Sequence, residues 1–87
     1  MKRPKLEVYV SDGCSICSRA VRALQDCEQI AAVADVAVCN LDAPDVARPP
    51  QLVAVPTVYY EGVVMALGTP DCCELASRLA TAMAAAD

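Results

Sequence analysis

Near its start the chain switches once, and sharply, from one hydrophobic period to another. Leu6, Val8 and Val10 alternate with Glu7 and Tyr9, a period of two that suits a strand with one buried face. Ser11-Asp12-Gly13 interrupts it. From Cys14 onward, Ile16, Ala20, Ala23/Leu24, Cys27 and Ile30 recur at spacings of three and four. Arg19, Arg22, Asp26 and Gln29 fall on the other side, so the spacing predicts an amphipathic helix of about 16 residues. Asp35 to Leu41 is then a β-branched, mostly apolar run between acidic residues, expected to be a strand buried on both faces. Strand, helix and strand make a βαβ unit, and a helical crossover implies parallel pairing.

The remainder limits the architecture further. Asp42 to Val55 has little periodicity, and Pro49-Pro50 forbids a long helix there, so a short or irregular connection is expected. Thr57-Val58-Tyr59-Tyr60, Glu61-Gly62 and Val63-Val64-Met65-Ala66 form the pattern of a hairpin with a tight glycine-containing turn. A last helix follows. Thr69 is the expected N-cap, Pro70 the first helical residue and Asp71 a complement to the helix dipole. Cys72, Leu75/Ala76, Leu79 and Met83 are its expected buried face, and Ala84-Ala85-Ala86 is expected to fray. The order β-α-β, loop or short helix, β-β-α predicts a single α/β domain over residues 1–87. Two helices would pack on a four-stranded mixed sheet.

Composition removes several functions. The chain has 87 residues, 56% of them hydrophobic, which is too apolar for disorder and enough for one modest core. Its longest uncharged run, Pro49 to Tyr60, is 12 residues with three prolines, too short and too broken to cross a bilayer. With 7 basic against 11 acidic side chains, nucleic acid is not an expected partner. The small cluster Lys2, Arg3 and Lys5 is expected to be a solvated tail. It is followed by too short an apolar stretch for a secretory signal, so a cytoplasmic location is expected, with most cysteines as thiols. Histidine is absent altogether, which excludes Cys-His and Ser-His-Asp chemistry. What remains is six cysteines: Cys14, Cys17, Cys27, Cys39, Cys72 and Cys73.

Cys14-Ser15-Ile16-Cys17 stands where the first strand hands over to the first helix. A thiol at a helix N-terminus meets unpaired backbone N–H groups and the positive end of the helix dipole, both of which favour thiolate. Cys14 gains most, whereas Cys17 lies one turn deeper and within reach of a short-loop disulfide. An accessible activated thiol beside a shielded one is what thiol–disulfide exchange requires. Arg19 and Arg22 add positive charge but are expected to point away. The same pair could serve in a metal site or be inert. A metal would need two further ligands, and adjacent Cys72 and Cys73 diverge by about 100° on a helix.

Taken together, the strand, Cys14-Ser15-Ile16-Cys17, the helix, and Val55-Pro56-Thr57 opening a hairpin with Gly62 in its turn resemble the thioredoxin/glutaredoxin superfamily. The likeness runs from Leu6 to about Met83. It implies a thioredoxin-like fold, a cis peptide before Pro56, and a Pro56 that faces the cysteine pair. It also implies that the backbone of Val55, with Pro56 and Thr57, receives an extended substrate. Cys14 would be the nucleophile and Cys17 the resolving thiol of a thiol–disulfide oxidoreductase without a cofactor or metal. Its substrates would be disulfide-containing proteins or low-molecular-weight thiols, with a recycling reductase or glutathione as electron donor and a monomeric state. A metal-handling module, or a non-catalytic partner-binding one, is the alternative on the same fold.

The chain departs from that family at several places. Gly13 and Ser15-Ile16 stand where thioredoxins usually have Trp and Gly-Pro, and Val8 stands where they place a buried Asp. On the glutaredoxin side, Gly68 and Asp71 alone echo the glutathione contacts. Gly68, Asp71, Cys72 and Cys73 are therefore the candidates for a glutathione or secondary site. Cys27 and Cys39 are expected as small core hydrophobes, and packing is the first expectation for Cys72 and Cys73. Glu7 and Asp12 are the acids nearest the motif, and Asp12 would oppose a thiolate at Cys14 if it is more than surface charge.

Overall fold

The structure, a computed structural model, describes residues 4–49, 52 and 54–85. Lys2 and Arg3 of the basic cluster, Pro50 of the proline pair and Ala86 of the alanine run lie outside those residues. The described chain runs β1 (Lys5–Val10), α1 (Ser15–Gln25), α2 (Glu28–Ala31), β2 (Asp35–Asn40), β3 (Thr57–Tyr60), β4 (Val63–Leu67) and α3 (Cys72–Ala85). The four strands form one mixed sheet in the order β2-β1-β3-β4. β1 pairs with β2 in parallel, from Lys5↔Asp35 to Val10↔Asn40, as a βαβ unit requires. β3 lies antiparallel to both β1 and β4.

Alternation in β1 does what its period predicts. Leu6, Val8 and Val10 are buried, and with Leu24, Ile30, Val58, Tyr60, Met65, Leu75 and Leu79 they form the main core. Leu24, Leu75 and Leu79 are each at most 2% exposed, so truncating one to alanine costs about 2–5 kcal/mol. Tyr9 and Tyr59 belong to the opposite face of the sheet, with ring centroids 5.3 Å apart in an edge-to-face contact. Such a pair adds roughly 0.5–1.5 kcal/mol beyond its buried area.

The hairpin is as its sequence predicts. Glu61 (φ 49°) and Gly62 (φ 80°) are both left-handed, which is the turn whose twist matches the strands it joins. Val58 pairs with Ala66 and Tyr59 with Val64, so Met65 is the extra residue of a β-bulge in β4. The connection over residues 41–49 is irregular, as expected.

Four expectations fail. The first helix does not reach Ile30. It stops at Gln25, where the N–H groups of Asp26 and Cys27 return to the carbonyls of Arg22 and Leu24, and Cys27 turns extended (φ −83°, ψ 102°). A separate turn, α2, follows, making three helices among the described residues. Ile16 is 53% exposed rather than buried: Ala20 and Leu24 hold the expected face, but in the first turn Cys17 takes the buried position in place of Ile16. β2 is not buried on both faces either. It is an edge strand, with Asp35 and Val38 exposed and the rest half-buried, since only β1 covers it laterally. At α3 the cap moves by two residues. Asp71, not Thr69, accepts the Glu74 N–H at 2.9 Å, and the helix begins at Cys72.

Candidate functional site

β1 ends at Val10, and Ser11-Asp12-Gly13 turns the chain into α1. Gly13 adopts φ 75°, a conformation a side chain would strain. Cys14 is the N-cap of α1: its backbone is extended, and its sulfur accepts the N–H of Cys17 at 3.1 Å. That bond satisfies one of the four N–H groups every helix leaves unpaired at its start. Cys14 and Cys17 are themselves joined as a disulfide, with Cα atoms 5.2 Å apart. Their environments differ sharply. Cys14 is half-buried, while Cys17 is 3% exposed and belongs to the core.

A depression of about 400 Å³ opens beside the disulfide, between the β1–α1 turn and the outer side of α1. Asp12, Cys14, Cys17, Ser18, Val21 and Arg22 are among its walls. Arg22 therefore faces the site after all. The depression runs along the side of α1 away from the core, which is the side Arg22 occupies.

The turn is held from the side by β2. Asn40 Nδ2 donates to Asp12 Oδ1 at 2.8 Å, and the Asp12 N–H donates to Asp42 Oδ2 at 2.7 Å. The Asp42 N–H closes the set on Asn40 Oδ1 at 2.9 Å. Asp12 is thus a fixed structural residue rather than loose surface charge. Sequence reasoning missed Asn40 and Asp42, and only the parallel register that brings Asn40 beside Val10 could have found them.

Pro56 approaches from the next strand. The β1–β3 register ends at Tyr9↔Thr57, so Pro56 falls one residue beyond it, at the end of the sheet where β1 gives way to the cysteine turn. The Val55–Pro56 peptide is cis. Thr57 Oγ1 donates to the Ala54 carbonyl across this bend, and the Gly68 N–H donates to the Pro56 carbonyl at 2.9 Å. Among the described residues, the main-chain N–H and C=O of Val55 have no partner. Leu67, paired with Thr57 and 63% exposed, lies at the same end.

The four residues expected at a glutathione or secondary site each have a place in the fold. Gly68 is tied to Pro56, Asp71 caps α3, and Cys72 forms a second disulfide with Cys27, Cα atoms 5.7 Å apart. Cys73 is an exposed free thiol with Gln29 Nε2 at 3.8 Å from its sulfur. Cys27 is buried, as expected, but as half of a disulfide, so four of the six cysteines are paired rather than reduced. With six cysteines and 15 ways to pair them all, spacing gives no clue to this partner. Cys39 is a half-buried free thiol on the edge strand, not a core residue. Burial first, and the carboxylate of Glu7 second, push its pKa above that of a free cysteine.

Neither the protein-family models nor the curated proteins compared with the chain yield a match. Among the described residues no three His, Cys, Asp or Glu side chains are grouped to hold a metal ion, and no helix is long and apolar enough to cross a membrane.

Proposed function

We propose that the chain is a thiol–disulfide oxidoreductase of the thioredoxin/glutaredoxin kind, with Cys14 as nucleophile and Cys17 as resolving thiol. The observation that carries this reading is the 3.1 Å bond from the Cys17 N–H to the Cys14 sulfur at the start of α1. In the reduced protein the same N–H, with the helix dipole behind it, stabilises a thiolate at Cys14. Cys17 is buried one turn below and waits as a protected second thiol.

The cycle balances with these two residues. The Cys14 thiolate attacks one sulfur of a substrate disulfide, forming a mixed disulfide and releasing the other substrate sulfur as a thiolate, which takes a proton from water. Cys17 loses its proton and attacks the Cys14 sulfur. The second substrate thiol leaves and Cys14–Cys17 closes. Two electrons have passed to the substrate, and two thiols from glutathione or a recycling reductase restore the pair.

An extended substrate segment would pair with the backbone of Val55 beside Pro56 and Thr57, with exposed Ile16 and Leu67 meeting its apolar side chains. Arg22 in the depression would favour an acidic flank. A disulfide-linked peptide whose separation is followed by fluorescence tests the reading. Cys14→Ser abolishes turnover, and Cys17→Ser accumulates a Cys14 mixed disulfide visible by mass. Turnover by Cys14→Ser at the native rate overturns it.

A further inference from the structure

Cys27 follows the last turn of α1, so the Cys27–Cys72 disulfide lies at the opposite end of that helix from Cys14. Eleven helical residues separate the two ends by about 16 Å. The two disulfides therefore do not share a site. At the second one, accessibility is graded across three sulfurs. Cys27 is 4% exposed, Cys72 is half-buried against the core, and Cys73, the next residue of α3, is an exposed free thiol. Cys73 is also turned toward the seam: the amide of Gln29, two residues beyond Cys27, lies 3.8 Å from its sulfur. An external disulfide can reach Cys73 easily, Cys72 with difficulty and Cys27 hardly at all.

We propose that Cys27, Cys72 and Cys73 form a second exchange centre for low-molecular-weight disulfides of the glutathione class, in which Cys73 captures the ligand and hands its oxidation to the buried pair. The steps start from the reduced trio. The Cys73 thiolate attacks RSSR, forming Cys73–S–S–R and releasing RS⁻. The Cys27 thiolate attacks the Cys73 sulfur, forming Cys27–Cys73 and releasing the second RS⁻. The Cys72 thiolate then attacks the Cys27 sulfur, closing Cys27–Cys72 and returning Cys73 as a thiolate. Two protein thiols are oxidised, one RSSR is reduced to two RSH, and Cys73 is unchanged. Because the product joins the α1–α2 junction to the start of α3, the redox state of the small-thiol pool sets whether this seam is locked.

The inference does not depend on catalysis by Cys14 and Cys17, and its test removes them. The full chain carrying Cys14→Ser and Cys17→Ser is reduced, mixed with glutathione disulfide, quenched with acid at intervals and mapped by peptide mass. A transient glutathione adduct on Cys73 should precede Cys27–Cys72. Adding Cys73→Ser should slow closure roughly tenfold or more, because only the less accessible sulfurs remain. Adding Cys72→Ser instead should halt the sequence at Cys27–Cys73. Closure at an unchanged rate in the Cys73→Ser variant overturns the proposal. So does a Cys73 adduct that persists in the Cys72→Ser variant without a Cys27–Cys73 bond. Circular dichroism of each reduced variant establishes that it is folded before its rate is compared.

Discussion

The N–H of Cys17 donates to the sulfur of Cys14 across 3.1 Å, so one bond caps α1 and, in the proposed function, would also stabilise a thiolate at Cys14. These two roles can be separated. A serine hydroxyl at position 14 can still accept from the helix N–H, but it cannot form a disulfide. Under reducing conditions Cys14→Ser should therefore unfold within about 0.5 kcal/mol of the parent, while Cys14→Ala should lose about 0.5–2 kcal/mol with the cap. Urea denaturation followed by circular dichroism measures both. Equal stability of the two variants would show that the sulfur does not cap.

The Cys27–Cys72 bond closes a long loop, 45 residues apart in sequence. Restricting the unfolded chain in this way is worth about 2–4 kcal/mol. That is a large share of the roughly 4–13 kcal/mol that a domain of this length holds. Cys27→Ser should lower the urea midpoint of the oxidised protein accordingly, and dithiothreitol, which then has only Cys14–Cys17 left to reduce, should cost this variant less than it costs the parent. An oxidised parent no more stable than this variant would contradict the pairing.

The hairpin turn carries a correctable strain. Glu61 occupies a left-handed conformation that costs a side chain about 1 kcal/mol and that asparagine tolerates better. Glu61→Asn should raise stability by up to about 1 kcal/mol, and Gly62→Ala should lower it by a similar amount. Both are checked by thermal unfolding with the disulfides intact.

Glu7 lies between two groups whose protons it helps to retain. Burial first and Glu7 second raise the pKa of Tyr9, as they do that of Cys39. Each group binds its proton more tightly folded than unfolded. Their contribution is present in full below the unfolded pKa and is lost as pH rises from there through the folded value. Stability should thus decline on the alkaline side, and Glu7→Gln should reduce that decline. Alkylation of Cys39 should begin at lower pH in the variant. An unchanged alkylation profile would show that Glu7 does not act on this thiol.

Features written in local pattern were legible in the sequence. The period-two run of β1, the Glu61-Gly62 turn between β-formers and the cysteine pair after Ser11-Asp12-Gly13 each depend on neighbours in the chain, and each is found as expected. Features set by distant residues were not legible. α1 ends before Cys27, which is extended and bonded to Cys72, and nothing near Cys27 in the sequence announces a partner 45 residues away. Ile16 continues the apolar spacing perfectly well, but Cys17 takes the buried position instead. Whether β2 is central or at the edge depends on where β3 docks, and periodicity carries no information about that.

The central claim is that Cys14 and Cys17 are a working dithiol. Differential alkylation with mass spectrometry, on protein equilibrated across a series of thiol redox buffers, tests it most directly. The account predicts one two-electron transition shared by Cys14 and Cys17, at roughly −180 to −270 mV, separate from that of Cys27 and Cys72. A Cys14–Cys17 pair that never changes state across the series, or two cysteines that titrate independently, would contradict it.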